Sequence, residues 1–245
     1  MTYTNMKNLR KFIFVLALAL IGCTSYSQDV YILAVGVSDY PGTRNDLRLP
    51  TNDATAIIDL YKINGQAKTK ILLNEDATHI AIVNAAKNLY QNAGPEDIVV
   101  FYFSGHGNPS GFNAYDKSLD YKVLKDIFSD CNSKHKMIFA DACFSGKLRE
   151  TREKSTSSPQ DIDIMLFLSS RHNEVSIERP AMNNGFFTAC LIKCLKGGAD
   201  IDKNRIITAK ELYQEVSRGV KTLSNDQQHP VMWGNFEHDM TIMKW

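Results

Sequence analysis

Short apolar runs and amphipathic segments alternate along most of this chain. Apolar runs rich in β-branched residues predict buried strands at residues 30–37, 69–73, 97–103, 136–140 and 162–169. Helical spacing of apolar residues predicts helices at residues 52–63, 78–92, 118–128, 184–195 and 208–223. This alternation is typical of βαβ units, and uninterrupted apolar strands indicate burial on both faces. We therefore predict an α/β fold, with a mostly parallel central sheet and helices on both faces.

Two further segments complete this plan. Residues 229–245 are expected to add a last strand or a hairpin. Residues 147–161 are polar, charged and rich in serine and threonine, so they cannot bury apolar surface and are expected to form a mobile loop. The sequence has no internal repeat, and residues 29–245 are predicted to form a single domain.

The first residues are typical of an export signal. Three basic residues precede an apolar stretch, residues 12–21, which is too short to span a bilayer comfortably. We interpret residues 1–22 as a signal peptide and expect the mature protein outside the bacterial cytoplasm. The residues before Cys23 are similar to a lipobox, which would lipidate Cys23 and anchor the protein to a membrane. Ser25-Tyr26-Ser27 fits ordinary signal cleavage equally well, so both routes stay open.

Composition sets limits on function. The chain has 245 residues, is 44% hydrophobic and 22% charged, and carries a formal net charge of +1. These values are typical of one globular domain, and a charge so near zero gives no basic field for nucleic acid. Cys190 and Cys194 have i, i+4 spacing, which suits a disulfide poorly, and no disulfide framework is expected.

Two predicted strands end in residues suited to nucleophilic catalysis. One strand runs into Ser-Gly-His106-Gly, and the next runs into Asp-Ala-Cys143. Functional groups of open α/β sheets gather at the carboxyl ends of the strands. A histidine between glycines is accessible to substrate and suits a general base, and pairing with it would activate a cysteine as its thiolate. Taken singly, each residue also fits a bland role, as a solvated turn histidine or a buried apolar cysteine.

The strings YFSGHG and DACFSG together resemble the histidine and cysteine motifs of caspases and, more closely, of metacaspases. Further segments resemble bacterial caspase-like proteins in matching order, namely LRLPTNDA, FLSSRHNEVSIE and NNGFFTACLIKCLKGGAD. The resemblance covers nearly everything from Val30 onward and implies a caspase-like three-layer sandwich. It implies a cysteine endopeptidase with His106 and Cys143 as its dyad and the N–H groups of Gly107 and Cys143 as its oxyanion hole. A peptide or protein substrate, a monomer and no cofactor are expected.

The resemblance also implies a substrate preference. Asp141 precedes the predicted nucleophile by two residues, and Asp53 matches the second aspartate with which metacaspases bind a basic P1 side chain. Cleavage after Arg or Lys is therefore expected, although Asp53 could instead cap the helix that follows it. Ser169 and Ser170 are expected beside the substrate channel, with a polar strand end as the alternative.

The predicted loop after Cys143 offers candidate sites of self-cleavage. A protease with a basic P1 preference could cut its own exposed basic positions, which are Lys147, Arg149, Arg152 and Lys154. A solvated run of charges is the alternative interpretation.

One segment follows the ligand spacing of an EF-hand. Asp200, Asp202, Asn204 and Glu211 occupy ligand positions, but Arg205 replaces the glycine that a calcium loop needs. We interpret the segment as a turn that caps the next helix, and predict no metal site, while calcium dependence through other residues stays open.

Two rival functions also remain: a caspase-like module that binds without cutting, and a peptidase with an acidic or small P1 preference.

Overall fold

The computed structural model describes residues 28–42, 44–63, 67–108, 110–142, 164–170 and 181–244. The strands are β1 (Val30–Gly36), β2 (Ala67–Leu73), β3 (Ile98–Gly105), β4 (Gly107–Asn108), β5 (Gly111–Asn113), β6 (Ser118–Asp120), β7 (His135–Ala142), β8 (Met165–Leu168), β9 (Ile206–Thr208), β10 (Val231–Trp233) and β11 (Thr241–Lys244). The helices are α1 (Pro50–Ile63), α2 (His79–Tyr90), α3 (Tyr121–Ser129), α4 (Phe186–Lys193) and α5 (Ala209–Leu223). A 3-10 turn at Asn74–Asp76 follows β2, and a π-helical turn at Cys194–Gly198 extends α4.

A six-stranded sheet in the order β10-β8-β7-β3-β1-β2 forms the centre of the fold. Only β10 runs antiparallel to its neighbour within this described sheet, and the other pairs are parallel. The predicted α/β class with a mostly parallel sheet is therefore confirmed. In the register of β3 and β7, Ser104 pairs with Asp141 and Gly105 pairs with Ala142, so these two strands end side by side.

Alternate residues of the central strands face two separate apolar cores. Tyr102 and Phe139 lie in the core that α1, α4 and α5 cover. Phe101 and Phe103 lie in the core that α2 and α3 cover. Because side chains alternate along a strand, the row that contains Tyr102 continues to Ser104. The apolar row on the α1 and α4 side thus becomes polar at the carboxyl edge of the sheet.

The structure corrects two details of the predicted elements and decides between the alternatives for the tail. Residues 118–120 form β6, whereas the sequence predicted them as the start of a helix, and Asp120 is the N-cap of α3. Strands β4, β5 and β6 form a small antiparallel sheet that was not predicted, because runs of two or three residues show no periodicity. Of the two alternatives for the tail, a last strand or a hairpin, the structure shows the strand: β10 joins the edge of the central sheet, and β11 pairs with β9.

Helix capping, the cysteines and the apolar character of the helices are further features of the fold. The side chain of Thr78 caps α2 by accepting the Ala81 N–H at 3.3 Å. Among the described residues, Cys131, Cys190 and Cys194 are free and buried. Of the helices that the structure describes, none combines the length and the apolar character needed to cross a bilayer.

Tyr61→Phe is expected to raise the free energy of unfolding by about 1 kcal/mol. Tyr61 is buried on α1, and its hydroxyl has no hydrogen-bond partner among the described residues, so removing the oxygen removes an uncompensated desolvation cost. Tyr90→Phe is the matched control, because the equally buried Tyr90 hydroxyl donates to Val100 O at 2.8 Å, and its loss should destabilise. Midpoints of urea unfolding measure both changes, and a lower midpoint for Tyr61→Phe would contradict the prediction.

Candidate active site

The carboxyl end of β3 places His106. Gly105 ends β3 and pairs with Ala142, which ends β7, so His106 and Cys143 directly follow two paired residues. Cys143 itself lies outside the described residues. Gly105 has a φ of +154°, and a Cβ there would lie 2.7 Å from the hydroxyl oxygen of Tyr40. Glycine is therefore needed where the chain passes from β3 into His106.

Tyr40 and Asn45, both in the segment after β1, orient His106. The hydroxyl of Tyr40 accepts the His106 backbone N–H at 2.9 Å and donates to Asn113 O at 3.1 Å. Its ring centroid lies 4.9 Å from that of the imidazole. His106 Nε2 lies 2.8 Å from Asn45 O. Because a carbonyl oxygen only accepts, Nε2 carries the proton and Nδ1 is the basic nitrogen.

Asp53 lies in the first turn of α1, buried with only 2% of its surface exposed. Its Oδ1 accepts from the Asn184 side-chain amide at 2.9 Å and from the Gly185 N–H at 3.1 Å, and its Oδ2 accepts from the Ser104 hydroxyl at 2.9 Å. Burial, followed by the charge of Asp141, raises the pKa of Asp53 to about 8 in spite of these donors. Since α1 begins at Pro50, Asp53 is not the helix cap that the sequence left open.

Asp141 lies at the end of β7, beside the N-terminus of α4. Its Oδ2 accepts from the Thr188 backbone N–H at 3.2 Å and from the Thr188 hydroxyl at 2.9 Å. A Cβ added to Gly185 would overlap Asp141 Oδ2 and would lie 3.5 Å from Asp53 Oδ2. The two carboxylates predicted to bind a substrate side chain are therefore brought together around one small space beside Gly185.

Several residues of this arrangement were missed by the sequence analysis. They are Tyr40, Asn45, Tyr102, Ser104, Asn184, Gly185 and Thr188. Ser104 gave a detectable signal, because it is a polar residue at the end of an apolar strand, two positions before His106. Asn45 acts through its backbone carbonyl oxygen, which every residue type has. Asn184 and Gly185 lie more than 130 positions from Asp53, and Tyr40, Tyr102 and Thr188 are typical of a core, so no spacing pattern linked them to the site.

Ser169 and Ser170 are both fully buried after β8. The Ser169 hydroxyl lies 3.2 Å from both the N and the O of Ala142, the residue before Cys143. The side-chain amide of Gln228 donates to Ser169 O at 2.9 Å. These contacts tie the end of β8 to the end of β7, and the role of both serines in a substrate channel stays a prediction.

Some predicted sites lie outside the described residues. They are Cys23, with the signal peptide at residues 1–22, the nucleophile and oxyanion donor Cys143, and the loop at residues 147–161 with Lys147, Arg149, Arg152 and Lys154. Gly107, the other predicted oxyanion donor, is half-buried at the start of β4. His106 O accepts the Asn113 N–H at 2.9 Å, so the small sheet holds the backbone of His106 and Gly107 in place.

Three carboxylates away from this site could hold a metal ion. Oxygens of Asp200, Asp202 and Glu211 lie within 4.8 Å of one another. Backbone N–H groups already bind these carboxylates, with Arg205 N donating to Asp200 at 3.1 Å and Thr208 N donating to Glu211 at 3.0 Å. Thr208 and Glu211 form a capping box at the start of α5, which is the turn and capping role that the sequence predicts.

Two curated proteins are similar to this chain. Metacaspase-1 of Candida albicans is 31% identical over 102 residues, which are 36% of this chain and 22% of that protein. Metacaspase-1 of Plasmodium falciparum is 26% identical over 237 residues, which are 79% of this chain and 38% of that protein. The chain therefore spans well under half the length of these curated relatives.

A solved structure and a family profile extend the comparison. The crystal structure of a protein from Geobacter sulfurreducens superposes with a TM-score of 0.66 at 17% identity, covering 89% of this chain and 97% of that one. A likeness at this identity supports the fold alone. The family profile described as the caspase domain matches residues 30–240. This chain therefore belongs to the caspase domain family, and its fold is the α/β sandwich of the caspase- and metacaspase-like cysteine peptidases.

Proposed function

We propose that this chain is an exported cysteine endopeptidase that cuts peptide bonds after arginine or lysine. The observation that carries the proposal is the pair of buried carboxylates, Asp53 and Asp141, beside the strand end that bears His106. Buried carboxylates are rare unless a charge partner is present, and the donors that hold Asp53 in the described part of the chain are neutral. A cationic side chain of a substrate would supply a charge partner to Asp53 beside Asp141.

The electrostatics of the Asp53 and Asp141 carboxylates favour a cationic P1 side chain. Burial and the charge of Asp141 raise the pKa of Asp53, so two charged carboxylates side by side are disfavoured without a cation. An ammonium or guanidinium group between the two carboxylates would relieve their repulsion and supply hydrogen-bond donors. An acidic P1 side chain would add a third carboxylate to the same space, which opposes the rival acidic preference.

The proposed chemistry uses His106 as base and then as acid. With Nε2–H held by Asn45 O, Nδ1 of His106 takes the proton of the Cys143 thiol. The thiolate attacks the scissile carbonyl carbon, and the N–H groups of Gly107 and Cys143 stabilise the oxyanion. When the peptide C–N bond breaks, His106 returns the proton to the leaving amine, and an acyl-enzyme thioester remains. Water, deprotonated by His106, hydrolyses the thioester and restores the thiol, so no cofactor is consumed.

Fluorogenic peptides that differ only in P1 test the proposal. The mature chain is expected to release fluorophore after Arg or Lys and not after Asp or Ala, with and without added calcium. Gly185→Ala should remove this activity, because the new methyl occupies the space beside Asp141, and Cys143→Ala is the control for contaminating proteases. Turnover after Asp or Ala alone would overturn the basic preference. Silence on every peptide at either calcium level would favour the binding-module rival.

A further inference from the structure

Two buried hydroxyls, those of Thr188 and Tyr102, connect to Asp141 in the core that α1, α4 and α5 cover. Thr188 on α4 and Tyr102 on β3 are both 0% exposed, and their hydroxyl oxygens lie 2.6 Å apart. The Thr188 hydroxyl also lies 2.9 Å from Asp141 Oδ2. Because that carboxylate oxygen draws the Thr188 proton, the Thr188 oxygen must accept from Tyr102. The result is a directed chain of hydrogen bonds from Tyr102 through Thr188 to Asp141.

We propose that Thr188, oriented by Tyr102, is a positioning residue that fixes the Asp141 carboxylate for binding a basic P1 side chain. This inference rests on the proposed function, since it concerns the same pocket, and it assigns that pocket a support made of buried hydroxyls. The backbone N–H of Thr188 in the first turn of α4 donates to the same Oδ2 at 3.2 Å. Two donors from one residue therefore hold one oxygen and restrict rotation of the carboxylate.

Placement within the core distinguishes this arrangement from simple packing. Tyr102 belongs to the row of β3 that lies in the α1, α4 and α5 core, where an apolar side chain would avoid the cost of burying a hydroxyl. Burial raises the pKa of Tyr102, so its hydroxyl stays protonated and serves as the donor at the start of the chain. The Thr188 hydroxyl is thus directed at one carboxylate oxygen of the pocket, and the Tyr102 hydroxyl is directed at the Thr188 oxygen.

The position of α4 couples the two aspartates. The residue before α4 is Gly185, whose N–H donates to Asp53 Oδ1 at 3.1 Å, and Thr188 in its first turn donates to Asp141. The N-terminal turn of this helix therefore contacts both carboxylates from one side. If the Thr188 hydroxyl is lost, the backbone contact remains, and we expect a looser Asp141 in a pocket that still folds.

Binding to the Cys143→Ala chain tests the inference without depending on turnover. The probes are a fluorescently labelled peptide with one arginine and the same peptide with citrulline, an uncharged side chain of the same shape. Thr188→Val, which keeps the side-chain volume, is expected to weaken binding of the arginine peptide about tenfold and to leave binding of the citrulline peptide unchanged. Thr188→Ser, which keeps the hydroxyl, should remain within about threefold of the parent. Tyr102→Phe should give a smaller loss than Thr188→Val.

The matched control is Tyr90→Phe, which removes an equally buried tyrosine hydroxyl from the opposite face of the same sheet. It should leave the preference for arginine intact. Equal arginine binding by Thr188→Val and the parent would overturn the positioning role. Equal losses in Thr188→Ser and Thr188→Val would also overturn it, because they would indicate packing. A parent chain that does not prefer arginine to citrulline would instead refute the proposed cationic pocket, and with it the support assigned to Thr188.

Discussion

Cys143→Ala and His106→Ala are each expected to lower kcat on an arginyl peptide by a factor on the order of 10⁴, and the double variant should be no slower than either one. A nucleophile and its base act as one unit, so removing either removes the common step. The structure supports the base: Asn45 O fixes the proton on Nε2 of His106, and Tyr40 holds the His106 backbone. His135→Ala is a control, because His135 starts β7 at the opposite edge of the sheet.

Alkylation of the thiol separates this role from loss of folding. Cys143 should react with iodoacetamide at pH 6 to 7 in the parent, whereas in His106→Ala its reaction should follow an ordinary thiol with a pKa of about 8.5. Burial raises the pKa of Cys190 to about 11 and that of Cys194 to about 12, so these thiols should stay unmodified. Mass spectrometry of the Cys143 peptide gives the rate. Identical pH profiles in the parent and in His106→Ala would exclude the dyad.

The sequence could predict the features that depend on local pattern. Near-continuous apolar runs identified the central strands because a strand buried on both faces needs an apolar side chain at every position. The same pattern located the carboxyl edge, since Ser104 and Asp141 are the first polar positions after apolar runs in two strands that prove to be paired. Two motifs read together therefore placed His106 correctly at the end of β3.

The features that sequence reasoning missed depend on long-range contacts or on very short elements. Asn184 and Gly185 donate hydrogen bonds to Asp53 although more than 130 residues separate them in sequence, and no local pattern predicts such a contact. Thr188 resembles any threonine in an apolar helix, although its hydroxyl serves Asp141. Strand β6 was taken for a helix start because Ser118–Asp120 has the composition of a cap, and Asp120 is in fact the cap of α3.

Asp53 also makes the stability of the fold depend on pH. Its folded pKa of about 8 lies well above the unfolded value of about 4, so the folded state holds the proton more tightly. The stability that Asp53 contributes is fully present below pH 4 and is lost as the pH rises through 8. Asp53→Asn keeps an oxygen for Asn184 and Gly185 but cannot ionise. It should therefore be more stable than the parent at pH 8 and should not share this pH dependence.

Binding of the arginine peptide to the Cys143→Ala chain is expected to release about one proton at pH 7. Without the peptide, the raised pKa of Asp53 favours its protonated form, whereas a guanidinium beside Asp53 favours the charged carboxylate. Affinity should rise by up to about tenfold per pH unit from pH 6 and level off above pH 8. Titration calorimetry in two buffers of different ionisation enthalpy counts the protons. Asp53→Asn should release none and should bind the peptide about 10 to 100-fold more weakly at pH 8.5, whereas proton release equal to the parent's would show that another group supplies it.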